Sequence, residues 1–187
     1  MTHSFEPRED PDIDTVWRWF EFQLGLTREE QGRIFRILAT GSEITAVFPG
    51  VGGSPYVGLG PQEVEAFFDE QAGYLELLTM FELLATAEAI LRTEFRVRVE
   101  QRRKDHLSRR FRAAYRANGD RVRLDEDILA ALKEAGVESR IISAFRGTLG
   151  LRDWLAHGRH WHPKLGRDYT PDIVLDIVRE LVESIPE

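Results

Sequence analysis

Residues 151–161 read L-R-D-W-L-A-H-G-R-H-W, and they place an arginine, an aspartate and a histidine close together as Arg152, Asp153 and His157. Histidine, with an unperturbed pKa of about 6.5, takes or gives a proton near neutrality. Arginine binds a phosphate through parallel N–H donors and stabilises charge growing on its oxygens. Asp153 and His157 are spaced i,i+4, so on a helix they share one side. A carboxylate beside an imidazole sets its tautomer and ring orientation. The chemistry these residues suit is proton transfer next to a bound anion.

The element that must position them is a helix expected over 138–161, with Gly158 as its C-cap. On a helical wheel Ile141, Ile142, Phe145, Leu149, Leu151 and Leu155 form one broad apolar face. Arg152 falls about 20° from Ile141, in the middle of that face, and about 140° from His157. A guanidinium does not shed its charge, so one on an apolar face must meet an anion or a cleft. The plain alternatives are a structural ion pair of Arg152, with Glu88 as partner, and a His157 that only packs at a helix end. Trp154 and Trp161 read as core or dimer-contact aromatics before base-stacking platforms. The wheel holds only if Gly147 and Gly150 leave the helix intact.

Taken in order, residues 1–11 are expected to be a loose, mixed-charge lead to a single domain over 12–187. Ile13, Val16, Trp17, Phe20 and Leu24 predict a helix ended by Gly25. Thr27, with Glu30 three residues on, predicts the cap of a second helix carrying Ile34, Phe35, Ile37 and Leu38. Residues 40–61 are rich in glycine, yet no Gly-Lys-Ser/Thr follows, so a long connection is expected in place of a phosphate loop. Pro61 opens a helix whose 3–4 spacing runs through Phe67, Gln71, Tyr74, Leu78, Phe81 and Ala85, then Glu88, Arg92, Phe95 and Val99. Glu88 and Arg92 stand where core residues are due: either the stripe drifts to the surface there, or a buried polar pair serves the motif helix. Unbroken to residue 117 this helix would be roughly 85 Å long, so a break is expected within 100–108. Asn118-Gly119-Asp120 is a turn, 124–135 a short amphipathic helix closed by Gly136, and Thr170-Pro171-Asp172 the start of a last helix burying Ile173, Val174, Ile177, Val178, Leu181 and Val182. No alternating strand of useful length occurs. The fold class is all-α, a bundle of five or six helices.

Composition narrows the function classes. Zero cysteines exclude disulfides, thiol catalysis and thiolate metal sites. No stretch approaches the roughly 20 apolar residues of a membrane span, and the acidic first residues carry no secretory h-region, which points to a cytoplasmic protein without membrane partners. The net charge of −7 argues against a protein that coats nucleic acid without selectivity. Within 92–123, however, 12 Lys and Arg stand against 4 Asp and Glu, a local +8. That segment is either a solvated basic face or a surface for a polyanion.

The spacing R-x4-H within L-R-D-W-L-A-H-G-R-H-W resembles the signature of the HEPN ribonuclease superfamily, over about residues 139–165. That family is all-α, usually homodimeric, and carries R-x4-6-H on a late helix with a polar residue after the arginine. Arg152, Asp153 and His157 match those three positions. The resemblance implies metal-independent RNA cleavage, without cofactor, by attack of a ribose 2′-oxygen on the adjacent phosphate. It also implies a homodimer in which two copies of the motif meet, which relieves the angular separation of Arg152 and His157. Arg159, His160 and Lys164 are then candidates for RNA phosphates. Some relatives are toxins controlled by an antitoxin such as a minimal nucleotidyltransferase, which modifies a tyrosine two residues after the histidine; Arg159 stands there in this chain. Two rivals remain: a metal site of His157, His160 and His162, and a non-catalytic helical module that binds a nucleotide, RNA or protein.

Overall fold

The computed structural model describes residues 12–41, 56, 58–159 and 162–186. The expected lead, 1–11, lies outside the described residues, as does most of the expected connection 40–61. Among the described residues there are six α-helices: α1 (Ile13–Ala39), α2 (Pro61–Gln101), α3 (His106–Asn118), α4 (Ala130–Glu134), α5 (Ser139–Ala156) and α6 (Pro171–Glu183). Among the described residues there is no strand, as the sequence implies, and no helix is long and apolar enough to cross a membrane. The chain divides into two compact units, one of Trp17–Thr79 and one of the residues before Trp17 together with those from Met80 onward.

In the first unit, α1 is one continuous helix where two were expected. Gly25 does not end it. A single helical glycine costs only about 1 kcal/mol relative to alanine, and flanking turns absorb that. Thr27 is not a cap: its hydroxyl donates to the Gln23 carbonyl one turn back, at 2.9 Å. Glu30 turns to Arg33 in a two-pronged contact, 2.7 Å for each bond. Ile34, Val64, Phe68 and Tyr56 form a buried cluster, flanked by Phe35, Ile37, Leu38, Leu59 and Phe67. The Tyr56 ring stacks on Phe68 and meets Phe67 edge-on, with centroids 5.4 and 5.3 Å away. At the start of α2, the Gly60 N–H donates to the Glu63 carboxylate at 2.7 Å, half of a capping box.

In the second unit, α2 continues with Met80, Leu83, Leu84, Ala87, Leu91 and Phe95 buried. This face is offset from the expected stripe. Tyr74 and Leu78, placed in that stripe, are 53% and 48% exposed. Two neighbouring apolar stripes run along α2, and packing chose the one that carries Leu84, Ala87 and Leu91. The break expected in 100–108 falls between Gln101 and His106. Asp105 caps α3, accepting from the Ser108 N–H at 2.8 Å and its hydroxyl at 2.6 Å. The helix expected over 124–135 is wound differently: Leu124–Leu129 is a π-helical segment before the short α4. Asp127 holds its entry, accepting from the Arg123 N–H at 2.8 Å and the Asn118 amide at 3.0 Å. Helix α6 starts at the Thr170 cap and packs on α5. It buries Val174, Ile177, Val178 and Leu181 as expected, while Ile173 and Val182 are only half-buried.

Arg98 is the largest charged group taken out of water, 1% exposed. Its guanidinium donates to Glu94 on its own helix, to Asp105 at 3.1 Å and to the Pro186 carbonyl. Burial opposes ionisation of Asp105, but the Ser108 hydrogen bonds and the nearby Arg98 charge outweigh it and hold its pKa at about 2. Because the folded carboxyl is depressed below the unfolded value, it stabilises the fold above about pH 4, and that contribution disappears as pH falls towards 2. In urea titrations across this window the wild type should lose roughly 1–2 kcal/mol that Asp105→Asn does not lose. Gly25→Ala, with open space around the added methyl, should raise stability by roughly 0.5–1 kcal/mol. A lower urea midpoint for that variant would mean that α1 does break at Gly25.

Candidate functional site

The motif helix is shorter than expected. Helix α5 ends at Ala156, and His157 is its C-cap, with φ −99° and ψ 22°. Gly158 follows at φ 80° and Arg159 at φ 57°. The Arg159 N–H returns to the Trp154 carbonyl at 3.2 Å, the long bond of a Schellman cap. Two consecutive residues in the left-handed region, Gly158 and Arg159, turn the chain off the helix. Gly147 and Gly150 leave α5 intact. The Tyr169 hydroxyl lies where a Gly147 methyl would meet it at 3.0 Å, and Leu165 would meet one on Gly150 at 3.7 Å. The small residues therefore let the segment before α6 lie close along α5.

Arg152 continues the buried face of Ile141, Ile142, Phe145 and Leu151, and its side chain is 37% exposed. It finds the anion that its position demands. Nη2 donates to Glu88 Oε2 at 2.7 Å, and Nη1 donates to Asp153 Oδ1 at 3.0 Å. The Asp153 hydrogen bond and then the Glu88 charge, working against partial desolvation, raise the Arg152 pKa above the ordinary arginine value. Glu88, 16% exposed, also accepts from Arg92 Nε at 2.8 Å, and Arg92 Nη1 reaches the Val122 carbonyl at 3.3 Å. Glu88 and Arg92 pair at the margin of the buried face of α2, where Arg92 is 44% exposed, and Glu88 links the pair to Arg152.

The expected carboxylate–imidazole contact is not made. His157 Nδ1 lies 2.7 Å from the backbone carbonyl of Asp153, while the Asp153 carboxylate turns to Arg152. The physical reason is the helix end. At the C-cap the ring folds back onto the carbonyl that the His157 backbone N–H already bonds at 3.1 Å, using that oxygen's second lone pair, and the neighbouring cation draws the carboxylate away. A carbonyl only accepts, so in the neutral ring Nδ1 carries the proton and Nε2 is the basic nitrogen.

Arg159 is half-buried, Lys164 and His162 are exposed, and Trp154 is half-buried. His160 and Trp161 lie outside the described residues. Among the described residues no three His, Asp or Glu side chains cluster as metal ligands.

A cavity of about 450 Å³ adjoins Arg92, lined also by Phe95, Arg96, Glu100, Tyr115 and Asp120. These residues did not stand out one by one in the sequence. Phe95 was placed in the helical stripe and Asp120 in a turn, while Arg96, Glu100 and Tyr115 were marked only by the basic segment 92–123 that contains them. No protein-family model matches the chain, and neither a curated protein nor a solved structure matches it.

The two anchors of Arg152 differ in burial, and substitutions should separate them. Glu88→Ala removes a largely buried carboxylate shared by two guanidinium groups and should cost about 1–3 kcal/mol in urea unfolding. Asp153→Ala removes a carboxylate that is 56% exposed and should cost less than about 1 kcal/mol. Equal losses would show that the two carboxylates anchor Arg152 alike, and a larger loss from Asp153→Ala would make Asp153 the main anchor.

Proposed function

We propose that this chain is a metal-independent endoribonuclease that acts as a homodimer of HEPN-like helical chains. The observation that supports the reading is local: Arg152 stands in the last turns of α5 and His157 caps the same helix, its ring fixed on the Asp153 carbonyl. In this reading Nε2 of His157 exchanges protons with the reacting oxygens. The ribose 2′-oxygen gives up its proton and attacks the adjacent phosphorus. The P–O5′ bond breaks, a cyclic phosphate forms, and the 5′-oxygen takes a proton. Arg152 carries the charge that builds on the non-bridging oxygens. A phosphate takes the place of the exposed Asp153 at Nη1 while Glu88 keeps hold of Nη2. Arg159, His160 and Lys164 contact flanking phosphates, and the dependence on a 2′-hydroxyl selects RNA over DNA.

The homodimer has its own support. Trp19, Phe22 and Leu26 recur at i, i+3 and i+7 along α1 and are 44%, 63% and 45% exposed. An apolar stripe of that kind is a surface that a partner covers. The biological role that fits such an enzyme is a toxin or anti-phage effector, controlled by an antitoxin.

One observation favours a second reading, a non-catalytic module that binds nucleotide, RNA or protein. Arg152, Arg92, Glu88 and Asp153 already balance each other's charges, so the motif is stable without a ligand.

Labelled RNA incubated in EDTA separates these readings. Wild type should cleave and leave a cyclic phosphate, and Arg152→Ala and His157→Ala should each slow cleavage by about 100-fold or more. Loss of cleavage on adding EDTA would sink the metal-independent mechanism. Undiminished cleavage by both variants would move the site elsewhere, and no cleavage of any RNA by folded protein would leave the binding module.

A further inference from the structure

The cavity beside Arg92 is formed by the C-terminal half of α2, the end of α3, the turn at Gly119–Arg121 and the π-helical segment. Its volume of about 450 Å³ lies within the range of small-ligand sites. Phe95, Val122 and Ile128 are buried residues of its wall and give it an apolar floor. Tyr115, 43% exposed, adds an accessible ring.

The rim carries the opposite chemistry. Arg96, Glu100 and Asp120 are exposed, and their side chains make no ion pair or hydrogen bond with any described residue. Arg96 and Glu100 are spaced i,i+4 on α2, where such residues readily pair, yet here they stay apart. Arg92 is held firmly by Glu88 and the Val122 carbonyl, which ties α2 to the chain leaving the turn. The walls are thus fixed by one arginine, while a second arginine and two carboxylates stand at the mouth.

We propose that this cavity binds one ribonucleotide unit. Its phosphate meets Arg96 and Arg92, and its ribose hydroxyls donate to Asp120 and Glu100. Its base lies over the apolar floor beside Tyr115. Each part answers a distinct feature of the cavity. A planar base suits an apolar wall with an accessible ring. Carboxylates accept only, so they suit the vicinal hydroxyls and repel a second phosphate. The phosphate is favoured by the surrounding segment 92–123 with its local charge of +8. The proposal rests on the cavity and not on cleavage at Arg152 and His157. A free nucleotide and one residue of an RNA strand present the same chemistry.

Calorimetric titration of the full chain tests it, with AMP, 2′-deoxy-AMP, inorganic phosphate and a tetraribonucleotide as probes. His157→Ala protein is used with the tetranucleotide, so that cleavage does not enter the readout. AMP or the tetranucleotide should bind. Arg96→Ala and Tyr115→Ala, both at exposed positions, should each weaken binding about tenfold or more. Binding of AMP identifies a free-nucleotide site, and binding of the tetranucleotide alone identifies a strand site. If neither binds, or if both variants bind as wild type does, the proposal is overturned. Equal affinity for 2′-deoxy-AMP, or for inorganic phosphate, overturns the ribonucleotide assignment. Binding without cleavage leaves this inference standing while the ribonuclease reading fails; cleavage with no binding at the cavity does the reverse.

Discussion

A guanidinium keeps its charge at any pH that a folded protein meets, so each arginine drawn out of water must be brought to an anion or a carbonyl. That constraint ties together the larger unit of this chain. Arg98, fully buried, gathers Glu94, the cap of α3 and the chain end after α6. Arg152 joins α5 to α2 through Glu88. At the surface, where no burial compels it, Arg140 adds a two-pronged contact to Glu180 of α6, at 2.6 and 3.0 Å. Apolar burial supplies the driving force for packing, and these charged contacts form where the packed faces bring an arginine to an anion.

The same constraint gives the motif an ambiguous character. A charge-balanced quartet around Glu88 satisfies Arg152 without a ligand, as a structural ion pair must. It also holds a guanidinium at the end of a helix, beside a histidine whose tautomer a carbonyl sets. Catalytic sites need that kind of preorganisation, because a side chain held in place before the reaction loses little freedom during it. Chemistry and structure make the same demand here, and only the exposed partner, Asp153, distinguishes an exchangeable contact from a permanent one. Arg92 extends the network to the neighbouring cavity, so the motif and the cavity share one rigid support.

Much of this was legible in the chain. The all-α class, the helix start at Pro61, the break before His106 and the Thr170 cap follow from local propensity, because caps and breakers act over a few residues. The position of Arg152 on an apolar face, and its need for an anion, followed from the helical period. Glu88 was legible as its partner because it interrupts an apolar stripe. Other features were not legible. Gly25 and Thr27 look like a helix boundary, but the preference of one glycine is small against the packing of the helix around it. Along α2 two apolar stripes lie side by side, and sequence period alone does not rank them.

What the sequence by itself determined is therefore local: which segments are helical, where the strongest caps and breakers fall, and which residue types carry charge or proton-transfer chemistry. What only the tertiary structure decided is pairing. Asp153 and His157 have the spacing to meet, yet the carboxylate goes to Arg152 and the imidazole to a helix-end carbonyl. Arg96 and Glu100 have the spacing to pair and do not. Arg98 attracted no notice in the sequence and became the most buried cation among the described residues. Spacing along a helix brings two groups within reach of each other, but the contact that forms is the best among all groups within reach. Folding supplies most of those competitors from distant parts of the chain.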